Sequence, residues 1–323
     1  MKRLISLVLV FVFVILLAAC GEKRETGEMD VYVLAGPTGI GAVNLWAQSE
    51  AGESANTYNF KLVSENEEII AAISKGEADI AAVATNLASS LYNKTNGEVT
   101  VLAVNTLGVL SILTNGTELS SISDLAGKTI YAPGQGANPE YILRYVLAGN
   151  GLDPDTDLTI KFVAKGDELP GVWAKDPDAV IMAPQPVATS ILIKYPEAKT
   201  AFDMTEEWNK VSGKNDLMMG CVIVRNEFLK ENEGVVKTFL EEYKNSVLAA
   251  SADAAATGAL CEKYGIIPKA AIATKAIPHC GLTYVDGADM KAGLSSYLDV
   301  MFKANPKSVG GALPGDDFYY VGK

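Results

Sequence analysis

The stretch at residues 128–140 reads KTIYAPGQGANPE, and the order of its residue types decides the fold class. A short apolar strand ends at Ala132, a loop of Pro, Gly and Asn follows, and a helix is predicted from Tyr141 onward. The glycines allow tight turns and close approach of the backbone to another group. Pro139 suits the first turn of a helix. The stretch therefore predicts a strand, a loop and a helix in succession.

The same succession recurs along the chain. Apolar strands are predicted at 31–35, 80–83, 99–104 and 179–183, and each ends in a polar or Gly/Pro loop. Continuous apolar strands that alternate with helices are typical of mostly parallel sheets covered on both faces. Ligands bind outside the carboxyl ends of such strands. The sequence therefore predicts an α/β protein with a binding cleft at its strand-end loops.

Two of these loops carry glycine and open a helix. Residues 36–41 read GPTGIG, which differs from the dinucleotide spacing G-x-G-x-x-G, so nucleotide binding is not predicted. Backbone N–H groups at a helix start still bind a carboxylate, phosphate or sulfonate. In the loop 134–138, Gln135 and Asn138 offer both donors and acceptors. The alternative is that either loop is a turn without ligand contact.

Three single side chains are further candidates for ligand contact. Asn86 and Gln185 follow predicted strands, where an amide either contacts a ligand or caps a turn. Trp208 lies in the polar stretch 203–216 and is the tryptophan best suited to stacking on a ring-shaped ligand. Core packing is the commoner fate of this residue type.

Catalytic and metal-binding groups are scarce. The sequence has one histidine, His279, and no Gly-x-Ser-x-Gly elbow for a nucleophilic serine follows the predicted signal. Adjacent acids such as Glu67 and Glu68 are predicted to lie in solvent. One imidazole beside Cys280 supplies too few ligands for a zinc site. We therefore expect no enzyme activity, no metal and no cofactor.

The N-terminus predicts secretion. An apolar run at 4–19 is shorter than the roughly 20 residues of a spanning helix, and we interpret 1–19 as a signal peptide. The tetrapeptide LAAC at 17–20 resembles the bacterial lipobox, in which the cysteine becomes the first residue and is acylated through its thiol. Residues 20–28 are then a polar tether that connects a lipid at Cys20 to the soluble part.

The chain is acidic. Its 27 basic and 39 acidic side chains give a net charge of −12, which becomes about −14 once Lys2 and Arg3 leave with the signal. Phosphate backbones require a positive face, so nucleic acid is not expected as a partner. Besides Cys20, the three cysteines are Cys221, Cys261 and Cys280. An odd count in a secreted protein predicts either one disulfide and one spare thiol or three free thiols.

Several segments resemble the substrate-binding lipoproteins of bacterial ABC importers, and among them the sulfonate, nitrate and thiamine-precursor binding family. The segments are GEADI at 76–80 followed by Thr85-Asn86, DLAGKT at 124–129, the loop 133–140 and PQP at 184–186. The resemblance covers about residues 31–320. It implies a type II periplasmic-binding fold, in which two α/β lobes joined by two crossover strands close around a ligand.

The resemblance also implies lobe boundaries and site residues. The first lobe would take 29–107 and 225–323, and the second 108–224. The residues that it assigns to the cleft are Thr38, Gly39, Asn86, Asn105, Thr106, Gln135, Gly136, Ala137, Asn138 and Gln185. Members often carry an acid where this chain has neutral Gln185, so a cationic ligand is less favoured. A Cys221–Cys280 disulfide is implied, with Cys261–Cys280 as the open alternative.

As a member of this family, the chain would be a monomeric extracytoplasmic receptor, anchored to the bacterial cell membrane by its lipid. It would deliver a small organic or anionic molecule to ABC permease and ATPase subunits. One alternative is an enzyme on the same scaffold, similar to thiamine-pyrimidine synthases, which use an active-site histidine. The other is a sensor or adhesion lipoprotein whose cleft signals to a partner.

Overall fold

Residues 24–322 are described by the computed structural model. The predicted signal peptide and the lipidation site at Cys20 lie outside these residues. From residue 24 the chain forms two α/β lobes, each built on one sheet. Within this range no helix has both the length and the apolar character needed to cross a membrane.

Six strands form the sheet of the first lobe, in the spatial order β11-β4-β10-β3-β1-β2. Their bounds are β1 Glu28–Leu34, β2 Thr57–Val63, β3 Ile80–Ala84, β4 Val99–Thr106, β10 Gly220–Arg225 and β11 Leu282–Asp286. β1 pairs in parallel with β2 and β3, whereas β10 runs antiparallel to β3 and β4, and β11 antiparallel to β4. Every residue of β4 is buried, which agrees with the continuous apolar run in its sequence.

Five strands form the sheet of the second lobe, in the order β7-β6-β8-β5-β9. Their bounds are β5 Leu110–Asn115, β6 Thr129–Pro133, β7 Thr159–Val163, β8 Val180–Pro184 and β9 Ala198–Asp203. β6 pairs in parallel with β7 and β8, and β5 runs antiparallel to β8 and β9. Both sheets are therefore mixed, with most strands in one direction. The predicted fold class of two α/β lobes is confirmed.

Helices pack against both sheets. In the first lobe they are α1 Pro37–Ile40, α2 Val43–Glu50, α3 Asn66–Lys75, α4 Thr85–Lys94, α8 Asn226–Glu231, α9 Glu233–Ala252, α10 Ala254–Tyr264, α11 Ala270–Ala276 and α12 Gly287–Ala304. In the second lobe they are α5 Asn138–Gly149, α6 Val187–Lys194 and α7 Met204–Ser212. The predicted helix stop at Gly76 is confirmed, since this residue follows α3 with φ 73°.

The chain crosses between the lobes twice. It leaves the first lobe between β4 and β5, at residues 107–109. It returns between α7 and β10. We expected this return after Val224, and that boundary was wrong because β10 pairs with β3 and β4 of the first sheet. A buried apolar strand has the same sequence character in either sheet, so composition could not assign it.

Helix α12 connects the lobes by packing as well. The Tyr297 ring on α12 lies 5.7 Å from the Trp208 ring on α7, measured between centroids. Asn305, just beyond α12, donates from Nδ2 to the Tyr141 hydroxyl on α5 at 2.6 Å. Buried side chains of both lobes consequently form one continuous hydrophobic cluster. The relative position of the lobes is therefore set by a packed core and not by the two crossings alone.

The three cysteines of the described residues are buried free thiols. The predicted disulfide between Cys221 and Cys280 is therefore not formed in this structure, nor is the alternative between Cys261 and Cys280. Cys221 belongs to the hydrophobic cluster on one face of the first sheet, and the other two belong to the cluster on the opposite face. Since side chains on a strand alternate between faces, the sheet separates Cys221 from Cys280.

Candidate functional site

A gap of ≈ 250 Å³ lies between the two lobes. It is found at the carboxyl ends of β1, β3, β4 and β6, where ligands bind in α/β sheets. The residues that line it are Pro37, Thr38, Asn66, Ala84, Asn86 and Thr106 from the first lobe, Ala137, Asn138 and Pro139 from the second, and Val109 and Met219 from the two crossings. Among these described residues none carries a charged side chain. The polarity of the gap therefore comes from amides, hydroxyls and the backbone.

Helices α1, α4 and α5 begin at this gap. The N-termini of all three lack a side-chain cap within the part of the chain that the structure describes. A helix N-terminus presents N–H groups and the positive end of the helix dipole, which favour an anion. At α4 the Thr85 N–H donates to the Met219 carbonyl oxygen, and at α5 Pro139 has no N–H and the Glu140 N–H donates to the Ala137 carbonyl oxygen. The Asn86 N–H in α4 and the Asn138 N–H in α5 remain as the candidate donors. The ten-residue α4 and the twelve-residue α5 supply most of this field, because α1 has four residues. Glu140 in the first turn of α5 is paired with Arg144 at 2.7 Å, and its Oε2 accepts from the Gly136 N–H at 2.7 Å.

Asn105 lies under the gap and fixes the groups that line it. Its Nδ2 donates to the Thr38 carbonyl oxygen at 3.0 Å and to the Tyr243 hydroxyl at 2.7 Å. Its Oδ1 accepts from Thr106 Oγ1 at 3.0 Å. Burial raises the pKa of Tyr243 above its ordinary value, so this hydroxyl keeps its proton. Asn105 is 1% exposed, so it orients Thr38 and Thr106 and does not itself line the gap.

Asn86 and Asn138 connect the lobes across the gap. Asn138 Nδ2, at the start of α5, donates to Asn86 Oδ1, in the first turn of α4, at 3.1 Å. Asn138 is 6% exposed, and its Oδ1 is buried without a hydrogen-bond partner. Beside this pair, Thr85 donates from Oγ1 to the Met218 carbonyl oxygen at 2.7 Å, which ties α4 to the second crossing. The gap wall thus contains one amide oxygen that no protein group satisfies.

The structure brings together part of the predicted ligand-contact set. Thr38, Asn86, Thr106, Ala137 and Asn138 all line the gap. They come from four strand ends in two lobes, as the pattern of polar strand-end loops predicts. Their contact with a ligand stays a prediction.

Other members of that set lie elsewhere. Gln135 and Gly136 are exposed on the loop before α5 and do not belong to the lining. Gly39 is buried inside α1, where an added Cβ would lie 2.4 Å from the Leu34 carbonyl oxygen, so close packing explains this glycine. Gln185 is 4% exposed, and its Oε1 accepts from Thr189 Oγ1 at 2.7 Å. Its amide oxygen accepts from a residue of α6, and Gln185 is not among the residues that line the gap; its contact with a ligand stays a prediction.

Trp208 is a core residue, and the prediction that it stacks on a ligand was wrong. Its side chain is fully buried in α7. Its ring lies 4.3 Å from that of Tyr145, and Nε1 donates to Asp216 Oδ1 at 2.7 Å. The polar stretch around it forms the amphipathic helix α7, and Trp208 lies on the buried face of that helix. His279 is exposed and outside the lining of the gap.

Several lining residues gave no functional signal in the sequence. Val109 and Met219 lie on the two crossings, where an apolar residue looks like ordinary core. Asn66 lies at the start of α3, and its polar side chain next to a predicted helix was the one available signal. Between residues 24 and 322, no group of three His, Cys, Asp or Glu side chains is arranged to hold a metal ion.

Residues 52–189 match a family model described as ABC transporter, phosphonate, periplasmic substrate-binding protein. The matched segment contains Asn86, Thr106, Val109, Ala137 and Asn138 of the gap lining. This segment is similar to the substrate-binding protein that the model describes. No curated protein matches the chain.

Solved structures of low sequence identity share the fold. An ABC transporter structure from Parabacteroides distasonis has a TM-score of 0.75 at 21% identity, over 90% of this chain and 98% of that one. The periplasmic aliphatic sulphonate binding protein SsuA from Escherichia coli has a TM-score of 0.69 at 13% identity, over 90% and 97%. The alkanesulfonate-binding protein SsuA from Xanthomonas axonopodis pv. citri, bound to MOPS, has a TM-score of 0.61 at 13% identity, over 94% and 98%. The chain has the periplasmic binding protein fold.

Proposed function

We propose that the chain captures a small anion in the gap between its lobes, since residues 52–189 match the model of a periplasmic ABC-transporter substrate-binding protein. As the substrate-binding component of an ABC-type importer, it passes that molecule to a permease driven by an ATPase. It does no chemistry on its cargo. The observation that carries this proposal is the meeting of helix N-termini without side-chain caps, from both lobes, at an uncharged gap.

The geometry supports an anion of small size. The positive ends of α4 and α5 stabilise negative charge without a lysine or arginine in the lining. Such a charge is bound by preorganised N–H donors. The volume of ≈ 250 Å³ is below the roughly 300–1,000 Å³ of pockets for drug-sized ligands. Methanesulfonate, methylphosphonate and nitrate have the charge and size that such a site accepts.

Thermal-shift and calorimetric titration with these three anions test the proposal. Ligand at a hundred times its dissociation constant stabilises the fold by about 2.7 kcal/mol, which raises the melting temperature. In Ala137→Phe the new ring occupies the gap, so we expect this stabilisation to disappear. Gln135→Phe is the matched control, because it adds the same ring to an exposed position on the same loop. Unchanged binding by Ala137→Phe would remove the gap as the site.

The lipid anchor and the monomeric state belong to the same proposal. A secreted receptor tethered at Cys20 remains close to its permease on the outer side of the cell membrane. Labelled palmitate should enter the wild-type protein in cells and be absent from Cys20→Ala. Sedimentation of the protein that begins at Gly21 should give the mass of one chain. Equal labelling of both forms would contradict the anchor.

Neither alternative function is favoured by a structural observation. An enzyme related to thiamine-pyrimidine synthases needs a histidine at the cleft, and His279 is exposed away from the gap. A sensor lipoprotein would bind the same kind of ligand but would not feed a pore. Ligand uptake that is lost in cells without this protein, and restored by its gene, distinguishes import from sensing.

A further inference from the structure

Residues 24–26, just before β1, lie along helix α9 of the first lobe. The Glu25 carbonyl oxygen accepts from Thr238 Oγ1 at 2.8 Å, and Thr238 is 3% exposed. Arg24 pairs with Glu241 at 2.7 Å, but both side chains are more than half exposed. An exposed ion pair contributes little, so the buried hydroxyl of Thr238 supplies most of this attachment. The part of the predicted tether from Arg24 onward is therefore bound to the lobe.

The bound segment runs along α9 from the amino end of β1 toward the gap. Gly27 lies against Val235, since a Cβ on this glycine would be 3.1 Å from Val235 Cγ2. The contact of Arg24 with Glu241 is six residues farther along the helix, a rise of about 9 Å. Just beyond it, the Tyr243 hydroxyl accepts a hydrogen bond below the gap. The chain thus leaves the body on the side of the first lobe, and not at the end of β1 opposite the gap.

The distance from Arg24 to a lipid at Cys20 is short. Four residue steps span at most about 14 Å when fully extended. If the chain left the lobe at Gly27 instead, the seven steps would span about 24 Å. The exposed side of α9 continues in its C-terminal half with Lys244 and Leu248, and Leu248 is 55% exposed. Cationic and apolar side chains on one helix face suit the boundary between lipid headgroups and acyl chains.

We propose that residues 24–26 hold the exposed side of α9 against the bilayer, with the interlobe gap beside the membrane surface. This inference rests on the lipid anchor at Cys20, which belongs to the proposed function. The partner is the lipid surface itself. A tether that stayed free up to β1 would let the lobe turn, so no single side would face the lipid.

Quenching of a fluorophore by nitroxide-labelled lipid measures which side of the protein meets the membrane. The acylated protein in phosphatidylcholine vesicles is labelled either at Leu248→Cys or at Ile193→Cys on α6 of the second lobe, since both positions are exposed. Cys221, Cys261 and Cys280 are buried, so the label enters at the new cysteine. We expect quenching at position 248 to be severalfold stronger than at position 193.

Two variants release the lobe by different routes. Thr238→Val with Arg24→Glu removes the hydroxyl donor and turns the ion pair into a repulsion. Insertion of about twelve Gly/Ser residues after Lys23 lengthens the chain outside the folded lobe and leaves these contacts in place. In both variants the protein should stay on the vesicles, and quenching at position 248 should fall toward the level at position 193. Lys230→Glu, which makes the same charge change at an exposed position on α8, should keep the wild-type difference.

The two positions also separate this inference from the anchor on which it rests. Equal quenching at positions 248 and 193 in the vesicle-bound wild type would overturn the inference. A difference that survives in both the released and the lengthened variants would also overturn it. Should the double variant not fold, as judged by circular dichroism, the lengthened variant alone decides. If the wild type does not bind vesicles, the lipid anchor fails first, and the inference fails with it.

Discussion

Replacing Trp208 by phenylalanine tests the assignment of this residue to the core. The Trp208 Nε1 hydrogen bond to Asp216 Oδ1 is 2.7 Å long, and both side chains are buried. Phenylalanine removes the donor and leaves the carboxylate without it, which costs about 1–3 kcal/mol. The smaller ring also leaves a void between Tyr145 and Tyr297, which adds about 1 kcal/mol. We expect the free energy of unfolding to fall by roughly 2–4 kcal/mol.

Urea denaturation followed by circular dichroism measures this loss, and a double-mutant cycle isolates the hydrogen bond. Asp216→Leu removes the acceptor, so Trp208→Phe should cost less in that background than in the wild type. Ligand affinity, measured by calorimetry on the folded variant, should stay within about twofold of the wild type, because Trp208 does not line the gap. Unchanged denaturation together with lost binding would refute the core assignment and restore the stacking role.

Three further outcomes are expected. Gly149→Ala should lower the free energy of unfolding by about 1–3 kcal/mol, because the new Cβ would lie 2.2 Å from Val211 Cγ1. Adding Val211→Ala removes that contact and should restore stability in a denaturant titration. Burial raises the pKa of Cys261 and of Cys280 to about 12, so a thiol reagent at pH 8 should not modify these residues in the native protein. In denaturant, the chain from Gly21 onward should react at three thiols. Reaction at one thiol would indicate a disulfide. Asn105→Leu should weaken ligand binding and cost about 1–3 kcal/mol of stability, because the Thr38 carbonyl oxygen loses the N–H donor of Asn105. Wild-type affinity in calorimetry would contradict this positioning role.

The fold followed from the sequence where local chemistry decides the structure. Strand β4 could be predicted because burial on both faces requires a continuous apolar run. The helix end at Gly76 could be predicted because a left-handed C-cap favours glycine. The lobe to which β10 belongs could not be predicted from the sequence. Pairing partners of a buried strand depend on contacts distant in sequence, which no local pattern contains.

The site was predictable to the level of loops and not of single side chains. The loop before α5 places Ala137 and Asn138 in the lining of the gap, while Gln135 and Gly136 are exposed and do not line it. The turn geometry of this loop, with Gly134 at φ 76° and Gly136 at φ 71°, decides which residues face inward. An amide side chain at a strand end, such as Gln185, looks the same in the sequence whether it bonds to the following helix or contacts a ligand. Distinguishing these roles requires the three-dimensional arrangement.

A crystal structure of the protein grown with saturating methylphosphonate tests most directly whether the interlobe gap is the binding site. We expect electron density for one ligand between Asn86 and Asn138, with its charged oxygens toward the starts of α4 and α5. Density at another surface, with the gap closed by the protein's own side chains, would contradict it.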